Sequence, residues 1–279
     1  MTSQKYIFFY KITKNYVFDL IKAAKKERRE AKKEKREETG MTGRVHSIET
    51  MGAVDGPGLR FVLFLQGCPL RCRYCHNPDT WDPRGGRETE SSAVLAEVKK
   101  YRHYFGRQGG VTVSGGEPLA QLDFLLELFA QLRAEGIHTA LDTSGALYEE
   151  SDERYTRLLS LTDLVLLDIK HIDPEVCRRL TGRDNRAELA FARRCAREGV
   201  PLWIRQVLLP GWTDGEGDLL ATRRFLDGLG SAVRRREVLP YHTMGKEKYK
   251  RLGIPYPLEG VPVPGADDIL RAKQDLGAE

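Results

Sequence analysis

The segment RFVLFLQGCPLRCRYCHN (residues 60–77) joins an apolar run to a loop that carries three cysteines. Residues 60–66 have the β-branched and aromatic content of a buried strand. Cys68, Cys72 and Cys75 follow it, spaced four and three residues apart. Thiolates are soft ligands that select zinc or an iron–sulfur cluster. The segment therefore predicts a strand that ends in a metal-binding loop.

The number of ligands separates the two kinds of metal site. Structural zinc needs a closed set of four ligands, and the nearest fourth candidate, His76, is adjacent to Cys75 and poorly placed to share the metal. A four-iron cluster with three thiolates and one open iron fits the spacing better. A non-catalytic iron–sulfur or zinc module is the alternative interpretation.

Short apolar runs alternate with amphipathic helical patterns after residue 41, which is typical of βα units around a parallel sheet. The predicted strands are 60–66, 111–114, 138–142, 164–168, 202–208 and 237–240, and the clearest helices are 92–102, 122–135, 155–161, 186–198 and 218–229. A closed barrel needs eight such units and about 250 residues. The predicted fold is α/β, a partial (β/α)6 TIM-like barrel followed by a proline-rich tail.

Polar groups follow the predicted strands at their carboxyl ends, where α/β barrels carry their chemistry. These groups are Gly115, Gly116 and Glu117, then Asp142 and Thr143, then Asp168 and Lys170, and finally His242. Arg205 lies within the fifth predicted strand and is expected to need a carboxylate partner or a ligand. A buried charge is costly unless it is paired or ligand-bound. Ion pairs between Lys170 and either aspartate, and a turn at the two glycines, are therefore the structural alternatives to ligand contacts.

The charge of +5 is unevenly distributed along the 279 residues. Residues 1–40 carry 12 Lys and Arg against 6 Asp and Glu, which leaves 33 against 34 in residues 41–279. A nucleic-acid-binding domain should carry its basic excess in the folded part. The near-neutral remainder therefore predicts no nucleic-acid partner.

The aromatic segment 6–21 is interrupted by Lys11, Lys14 and Asp19, so it is not a transmembrane helix. A charged run follows the apolar segment, the reverse of a secretory signal. We expect residues 1–40 to form a basic extension, helical or disordered, before a domain at 41–279. A membrane-surface anchor is the alternative for this extension, and Met41 could be the true start.

Five cysteines are an odd number, and three of them lie within eight residues. This clustering argues against a secreted disulfide framework and favours the cytoplasm. Cys177 and Cys195 lie on helical patterns and are interpreted as packing residues.

The Cys-x3-Cys-x2-Cys loop together with Gly-Gly-Glu-Pro (115–118) resembles the radical S-adenosylmethionine (SAM) enzymes. Longer stretches resemble one family within them, the glycyl-radical enzyme activases, in the branch that acts on pyruvate formate-lyase. These stretches are GRVHSIETMGAVDGPGLRFVLFLQGCPLRCRYCHNPDTWD (43–82), VSGGEPL (113–119), HTALDTSG (138–145), LVLLDIKH (164–171), WIRQVLLPGWTD (203–214) and LPYHTMGKEKY (239–249). The resemblance implies that the partial barrel is of the radical SAM type.

The resemblance also implies two cofactors and their ligands. Cys68, Cys72 and Cys75 would hold a [4Fe-4S] cluster whose open iron is chelated by SAM. The SAM pocket would comprise Tyr74, Gly115, Gly116, Glu117, Asp142, Thr143, Asp168, Lys170, Arg205 and His242. A monovalent cation beside SAM would be held by Asp142, Thr143, Asp168 and the carbonyl of Leu166.

The implied activity is radical transfer to a protein glycine. One-electron reduction of the cluster by flavodoxin or ferredoxin would cleave SAM, and the 5′-deoxyadenosyl radical would remove hydrogen from a glycine of pyruvate formate-lyase. Asp55 and His76 would contact this substrate protein, and no protein general base is needed. The extra cysteines of the ferredoxin-like insert found in several other activases are absent, which favours the pyruvate formate-lyase branch. Activation of another glycyl-radical enzyme is the alternative.

Overall fold

The strands form one mixed sheet in a computed structural model, which describes residues 40–278. The predicted extension, residues 1–40, lies outside the described residues apart from Gly40. The described strands are β1 (Thr42–Gly52), β2 (Arg60–Leu65), β3 (Arg87–Glu90), β4 (Gly110–Gly115), β5 (His138–Thr143), β6 (Leu164–Asp168), β7 (Leu202–Leu208) and β8 (Val233–Pro240). Their order is β3-β1-β2-β4-β5-β6-β7-β8, and the sheet remains open because β3 and β8 are its two edges.

The six strands from β2 to β8 in this order are all parallel, as predicted. Observed and predicted bounds differ by no more than one residue for five of them. The exception is β8, which begins at Val233 although only 237–240 was predicted. The half that was not predicted is VRRR (233–236), whose three consecutive arginines do not resemble a strand.

Two further strands were not predicted. β1 lies antiparallel to both β2 and β3. Only part of β1 is buried, and β3 consists of the polar residues RETE. Neither strand therefore carries the apolar run by which the parallel strands were recognised.

Helices pack on the outer side of the sheet. The α-helices of the described chain are α1 (Ser91–Tyr101), α2 (Leu122–Ala134), α3 (Arg154–Ser160), α4 (Pro174–Thr181), α5 (Arg186–Arg197), α6 (Glu216–Asp227), α7 (Lys246–Leu252) and α8 (Ala266–Leu276). The five predicted helices are present with small shifts at their ends. α4, α7 and α8 were not predicted, and α7 and α8 lie in the segment interpreted as a proline-rich tail.

Helix α4 has a well-defined start and end. Asp173 is its N-cap residue, and its Oδ1 accepts hydrogen bonds from the N–H groups of Glu175 (2.8 Å) and Val176 (2.9 Å). The helix stops at Gly182, which adopts a left-handed φ of 86°. The carbonyl groups of the last turn are thus available to donors from other segments.

Side chains alternate along the parallel strands between the helices and the inside of the sheet. In β7, Ile204 and Leu208 are buried, whereas Arg205 and Val207 face a cavity on the inner side. No helix of residues 40–278 has the length and hydropathy that a membrane crossing would require.

Candidate functional site

One cavity lies at the carboxyl ends of the parallel strands. Its volume is about 330 Å³, within the range of small-molecule sites. The predicted site residues that line it are Asp55, Cys68, Cys72, Tyr74, Cys75, His76, Gly115, Gly116, Asp142, Thr143, Asp168, Lys170 and Arg205. Glu117, Leu166 and His242 do not line it. The fold therefore brings most of the predicted site into contact with one cavity.

The cysteine loop (residues 67–77) is held by hydrogen bonds to its neighbours. The N–H groups of Arg71 and Arg73 donate to the carbonyls of Thr181 (2.7 Å) and Leu180 (2.9 Å), at the end of α4. On the other side, the Gly67 carbonyl accepts from the N–H of Glu117 (2.9 Å). Two strand–helix units thus fix a loop that lacks regular structure.

The three thiols of the cysteine loop are partly or fully buried. Burial raises the pKa of Cys68 to about 11 and also raises the pKa of Cys72 and of Cys75. Hydrogen-bond donors oppose this rise in pKa. The donor at Cys68 is the N–H of Leu70, and the donors at Cys75 are the N–H of Asn77 and the indole of Trp81. Such donors offset part of the cost of a buried thiolate, and the rest would have to come from a bound metal.

The arrangement of donors fits a cluster better than a single ion. Within residues 40–278, no three His, Cys, Asp or Glu side chains converge closely enough to hold one metal ion. Zinc would require its sulfur ligands at about 2.3 Å from one point. A four-iron cluster distributes its thiolates over separate iron atoms, so the sulfurs lie farther apart. Three thiolates facing one cavity are therefore suited to a cluster.

The two glycines at the end of β4 are required by close backbone contacts. Gly115 has a φ of 122°, and a Cβ there would lie 2.2 Å from the nitrogen of Leu65. A Cβ on Gly116 would lie 2.3 Å from the carbonyl oxygen of Gly67. The glycines therefore let β4 approach the start of the cysteine loop, and they also form part of the cavity wall.

Glu117 does not line the cavity, but its carboxylate bonds to Thr143 and Ser144, which do. It is 1% exposed. Its oxygens accept from the N–H groups of Leu119 (3.1 Å) and Ser144 (3.0 Å), and from the hydroxyls of Thr143 and Ser144. Burial raises its pKa, and these hydrogen bonds oppose the shift. Glu117 thus joins the end of β4 to the end of β5.

A network of four charged side chains forms the opposite wall. Arg205 donates from Nη2 to Asp142 and from Nε to Asp168 Oδ1 (3.1 Å). Lys170 Nζ donates to Asp168 Oδ2 at 2.8 Å, which confirms one of the predicted ion-pair alternatives. Ser114 Oγ donates to Asp142 Oδ2 at 2.7 Å. Arg205 therefore has the carboxylate partners that its position within a strand requires.

The two aspartates of this network have different electrostatic environments. Burial raises the pKa of Asp142 and outweighs the effect of Arg205. At Asp168 burial acts in the same direction, but Arg205 and Lys170 together outweigh it and lower the pKa. Asp168 is therefore the more firmly ionised carboxylate.

Leu166 is fully buried in β6, in register with Asp142 on one side and Trp203 on the other. Its carbonyl was predicted to help hold a monovalent cation with Asp142, Thr143 and Asp168. Both carboxylates are bonded to Arg205 in the structure, so a cation would have to compete with the guanidinium group. The cation remains a prediction.

His242 lies behind the cavity wall. Its ring stacks on that of His76, with centroids 3.9 Å apart, and its carbonyl lies 3.0 Å from His76 Nε2. His242 Nδ1 is buried and has no hydrogen-bond partner in the described chain. His242 thus supports His76, which itself lines the cavity.

Asp55 reaches the cavity from the loop between β1 and β2. Its carbonyl accepts from Thr112 Oγ1 at 2.7 Å, and Thr112 Oγ1 accepts from the Nε of the fully buried Arg60 at 2.9 Å. Burial raises the pKa of Asp55, and nearby Glu49 acts in the same direction. The neighbouring Val54 is 81% exposed, so this loop reaches both solvent and cavity.

The prediction missed Glu188, Ser114 and Trp81. Glu188 Oε1 accepts from the N–H of Lys170 at 2.8 Å and so fixes the backbone that carries this lysine. A signal for it existed, because Glu188 lies on the stripe of α5 that also contains buried Phe191 and Cys195. A charged residue on a buried stripe indicates a specific partner.

Comparisons with known proteins agree with this geometry. The family model of the Radical SAM superfamily matches residues 62–223. The pyruvate formate-lyase-activating enzyme of Streptococcus mutans serotype c is 48% identical over 244 residues, which cover 86% of this chain and 92% of that protein.

Solved structures share the fold. A domain of a pyruvate-formate lyase-activating enzyme from Bacteroides vulgatus ATCC 8482 is 27% identical, with a TM-score of 0.51, over 61% of this chain and 93% of that chain. A radical SAM methyltransferase from Sphaerobacter thermophilus is 18% identical with a TM-score of 0.55, over 78% of this chain and 63% of its own. The latter likeness concerns the fold alone.

We predict that Gly116→Ala lowers the free energy of unfolding by about 1–3 kcal/mol, because the new methyl group collides with the Gly67 carbonyl. Iron bound after anaerobic reconstitution should decrease in parallel. Gly217→Ala in α6 is the control, since nothing lies within 4 Å of its added Cβ. Urea unfolding would contradict the prediction if the two variants had equal stability.

We predict that Glu117→Gln destabilises the protein by about 1–3 kcal/mol for each buried donor left unpaired, because an amide NH2 cannot accept those hydrogen bonds. The KM for SAM should rise, since the ends of β4 and β5 lose their connection. Glu175→Gln, at an exposed ion pair with Arg178, should leave the unfolding midpoint nearly unchanged. A wild-type midpoint for Glu117→Gln would refute the positioning role.

Proposed function

The chain belongs to the pyruvate formate-lyase-activating enzymes of the Radical SAM superfamily, and we propose that it installs a glycyl radical on pyruvate formate-lyase under anaerobic conditions. The observation that carries this proposal is that the three thiols of one loop share a cavity with a network of four charged side chains. When bound, a [4Fe-4S] cluster and SAM supply the reductive cleavage of SAM and the 5′-deoxyadenosyl radical that removes hydrogen from the glycine.

We assign Cys68, Cys72 and Cys75 as the ligands of the cluster. Three thiolates leave one iron open, so a small molecule in the same cavity can coordinate it. The N–H donors at Cys68 and Cys75 stabilise negative charge on sulfur. These donors therefore contribute to the electronic environment of the cluster as well as to its binding.

We assign the opposite wall to SAM. The methionyl end of SAM carries a carboxylate and an ammonium group, which need partners of opposite charge in a partly buried cavity. Lys170 and Arg205 suit the carboxylate, and the two aspartates suit positive charge. Gly115 and Gly116 present backbone groups without side chains, and Tyr74 and Thr143 complete the wall. His242 acts through His76.

The substrate glycine has to reach the cavity as part of a protein. The open sheet provides the access, because its edge strands β3 and β8 do not pair with each other. Asp55 and His76 line the cavity, and we assign them to the bound glycyl segment. An inserted segment would also exclude water from the reacting atoms, which protects a radical from side reactions.

Flavodoxin or ferredoxin is the proposed electron donor, since cleavage of SAM consumes one electron at a time. The five cysteines of this chain are all free thiols, which suits the reducing cytoplasm that we propose as its location.

The test is electron paramagnetic resonance of pyruvate formate-lyase incubated with the reconstituted protein, SAM and photoreduced 5-deazariboflavin. We expect a glycyl radical signal and stoichiometric 5′-deoxyadenosine. Cys72→Ala should abolish both, because the cluster loses a ligand. Cys195→Ala, at a buried cysteine of α5 that lies outside the cavity, should retain both.

Two outcomes would change the conclusion. SAM cleavage without a signal on pyruvate formate-lyase, but with a signal on another glycyl-radical enzyme, would transfer the function to that enzyme. A cluster-loaded protein that makes no 5′-deoxyadenosine would instead identify a non-catalytic module.

We also propose that residues 1–40 are dispensable for activation. A chain beginning at Met41 should give the same rate of glycyl radical formation as the full chain, because the cavity and its supporting contacts lie within residues 42–278. A large decrease in rate for a shortened chain with full cluster content would contradict this.

A further inference from the structure

Four arginines lie on the solvent side of the cysteine loop and at the end of α4, namely Arg71, Arg73, Arg179 and Arg183, and we call them the arginine face. None of them is paired with a carboxylate of residues 40–278, and Arg71, Arg179 and Arg183 are exposed. Their neighbour Arg178 differs, since it pairs with Glu175 and Asp184. The arginine face is therefore a patch of positive charge without a direct ion pair, although Asp173 lies near enough to Arg179 to attract it.

Nearby carboxylates are already engaged. Asp173 caps the first turn of α4, and Asp184 binds Arg178 and Arg186. The patch does not reflect an overall positive charge of the domain either, because residues 41–279 contain 33 Lys and Arg against 34 Asp and Glu. The positive charge is thus a local property of this surface.

Backbone hydrogen bonds and one indole hold these like charges together. Arg71 and Arg73 bond through their N–H groups to the last carbonyls of α4. Arg73 and Arg179 then stack on the same ring of Trp212, with their guanidinium carbons 4.9 and 5.8 Å from its centroid. Like charges held close together repel one another, and an anionic partner would reduce this repulsion.

The arginine face contacts the proposed cluster ligands directly. Arg71 Nη1 donates to the carbonyls of Cys68 (2.8 Å) and Leu70 (2.7 Å). The Arg71 guanidinium also lies 4.8 Å from the ring centroid of Trp81, which lines the same cavity as the three cysteines. A partner seated on the arginine face would therefore contact a side chain that is itself hydrogen-bonded to the cysteine loop.

We infer that the arginine face docks an acidic protein that carries one electron. The inference rests on the proposed function, because the cluster must be reduced before each turnover. One electron leaves the reduced centre of the carrier and one enters the cluster, and no atom or proton is transferred. Electron-transfer encounters are small and depend strongly on charge, which suits a compact patch of unpaired arginines.

The test compares the double variant Arg179→Glu/Arg183→Glu with Arg107→Glu/Arg157→Glu in the reconstituted full chain. Arg107 and Arg157 are also exposed and without an ion pair among residues 40–278, but they lie in the loop before β4 and in α3. The probe is flavodoxin. Its dissociation constant is measured by fluorescence anisotropy, and cluster reduction by its hydroquinone is followed by stopped-flow absorbance.

We expect Arg179→Glu/Arg183→Glu to raise the dissociation constant of flavodoxin about tenfold or more and to slow cluster reduction by flavodoxin. Reduction by photoreduced 5-deazariboflavin, which needs no docking, should stay at the wild-type rate. Arg179→Lys/Arg183→Lys should bind nearly as the wild type does. Added salt should weaken flavodoxin binding by the wild type more than binding by the charge-reversal variant Arg179→Glu/Arg183→Glu.

An unchanged dissociation constant, or equal weakening in the Arg107/Arg157 variant, would overturn the inference. Equally slow reduction by 5-deazariboflavin would also overturn it. A selective rise in the KM for pyruvate formate-lyase would do the same, because the patch would then be a substrate surface. If the reversed variant does not fold, Arg179→Gln/Arg183→Gln is measured by the same criteria. Because neither binding nor cluster reduction involves pyruvate formate-lyase, these results are independent of whether the proposed substrate is correct.

Discussion

The site depends on how an irregular loop obtains a fixed shape. Residues 67–77 make few bonds among themselves, so their backbone groups bond to neighbouring segments instead. The end of α4 accepts from Arg71 and Arg73, and the end of β4 donates to Gly67. The close approach on the β4 side is available only because Gly116 lacks a side chain. Helix end, glycine pair and cysteine positions therefore form one connected unit.

Much of the fold and site could be predicted because both follow from strand patterning. Parallel strands buried on both faces are continuous apolar runs, and the polar residues that end them meet at one edge of the sheet. Asp142 and Asp168 were recognised for this reason, and their shared partner Arg205 was expected to need a carboxylate. The antiparallel strands β1 and β3 escaped prediction because they are only partly buried and their sequences are mostly polar.

The remaining features depend on contacts that no local pattern encodes. The sequence shows Glu117 beside two cavity glycines, but only the fold shows that its carboxylate turns to Thr143 and Ser144. His242 follows a strand end, as other site residues do, yet it stacks on His76 behind the wall. Spacing along the chain identifies candidate residues. Three-dimensional neighbours decide whether each one meets a ligand or supports a residue that does.

The open sheet has a consequence for self-association. An unpaired edge strand can extend its ladder with a strand from another copy, which is a common route to aggregation. β8 is such an edge, and it carries Arg234, Arg235 and Arg236 in succession. Arg235 pairs with Glu237 and Arg236 with Asp227, but Arg234 is exposed and has no ion pair among residues 40–278. Two copies meeting along β8 would therefore bring two unpaired arginines close to each other. The charged start of β8 is the feature that hid this strand from prediction. The same charge helps to keep the open side of the sheet accessible to a protein substrate and closed to a second copy of this chain.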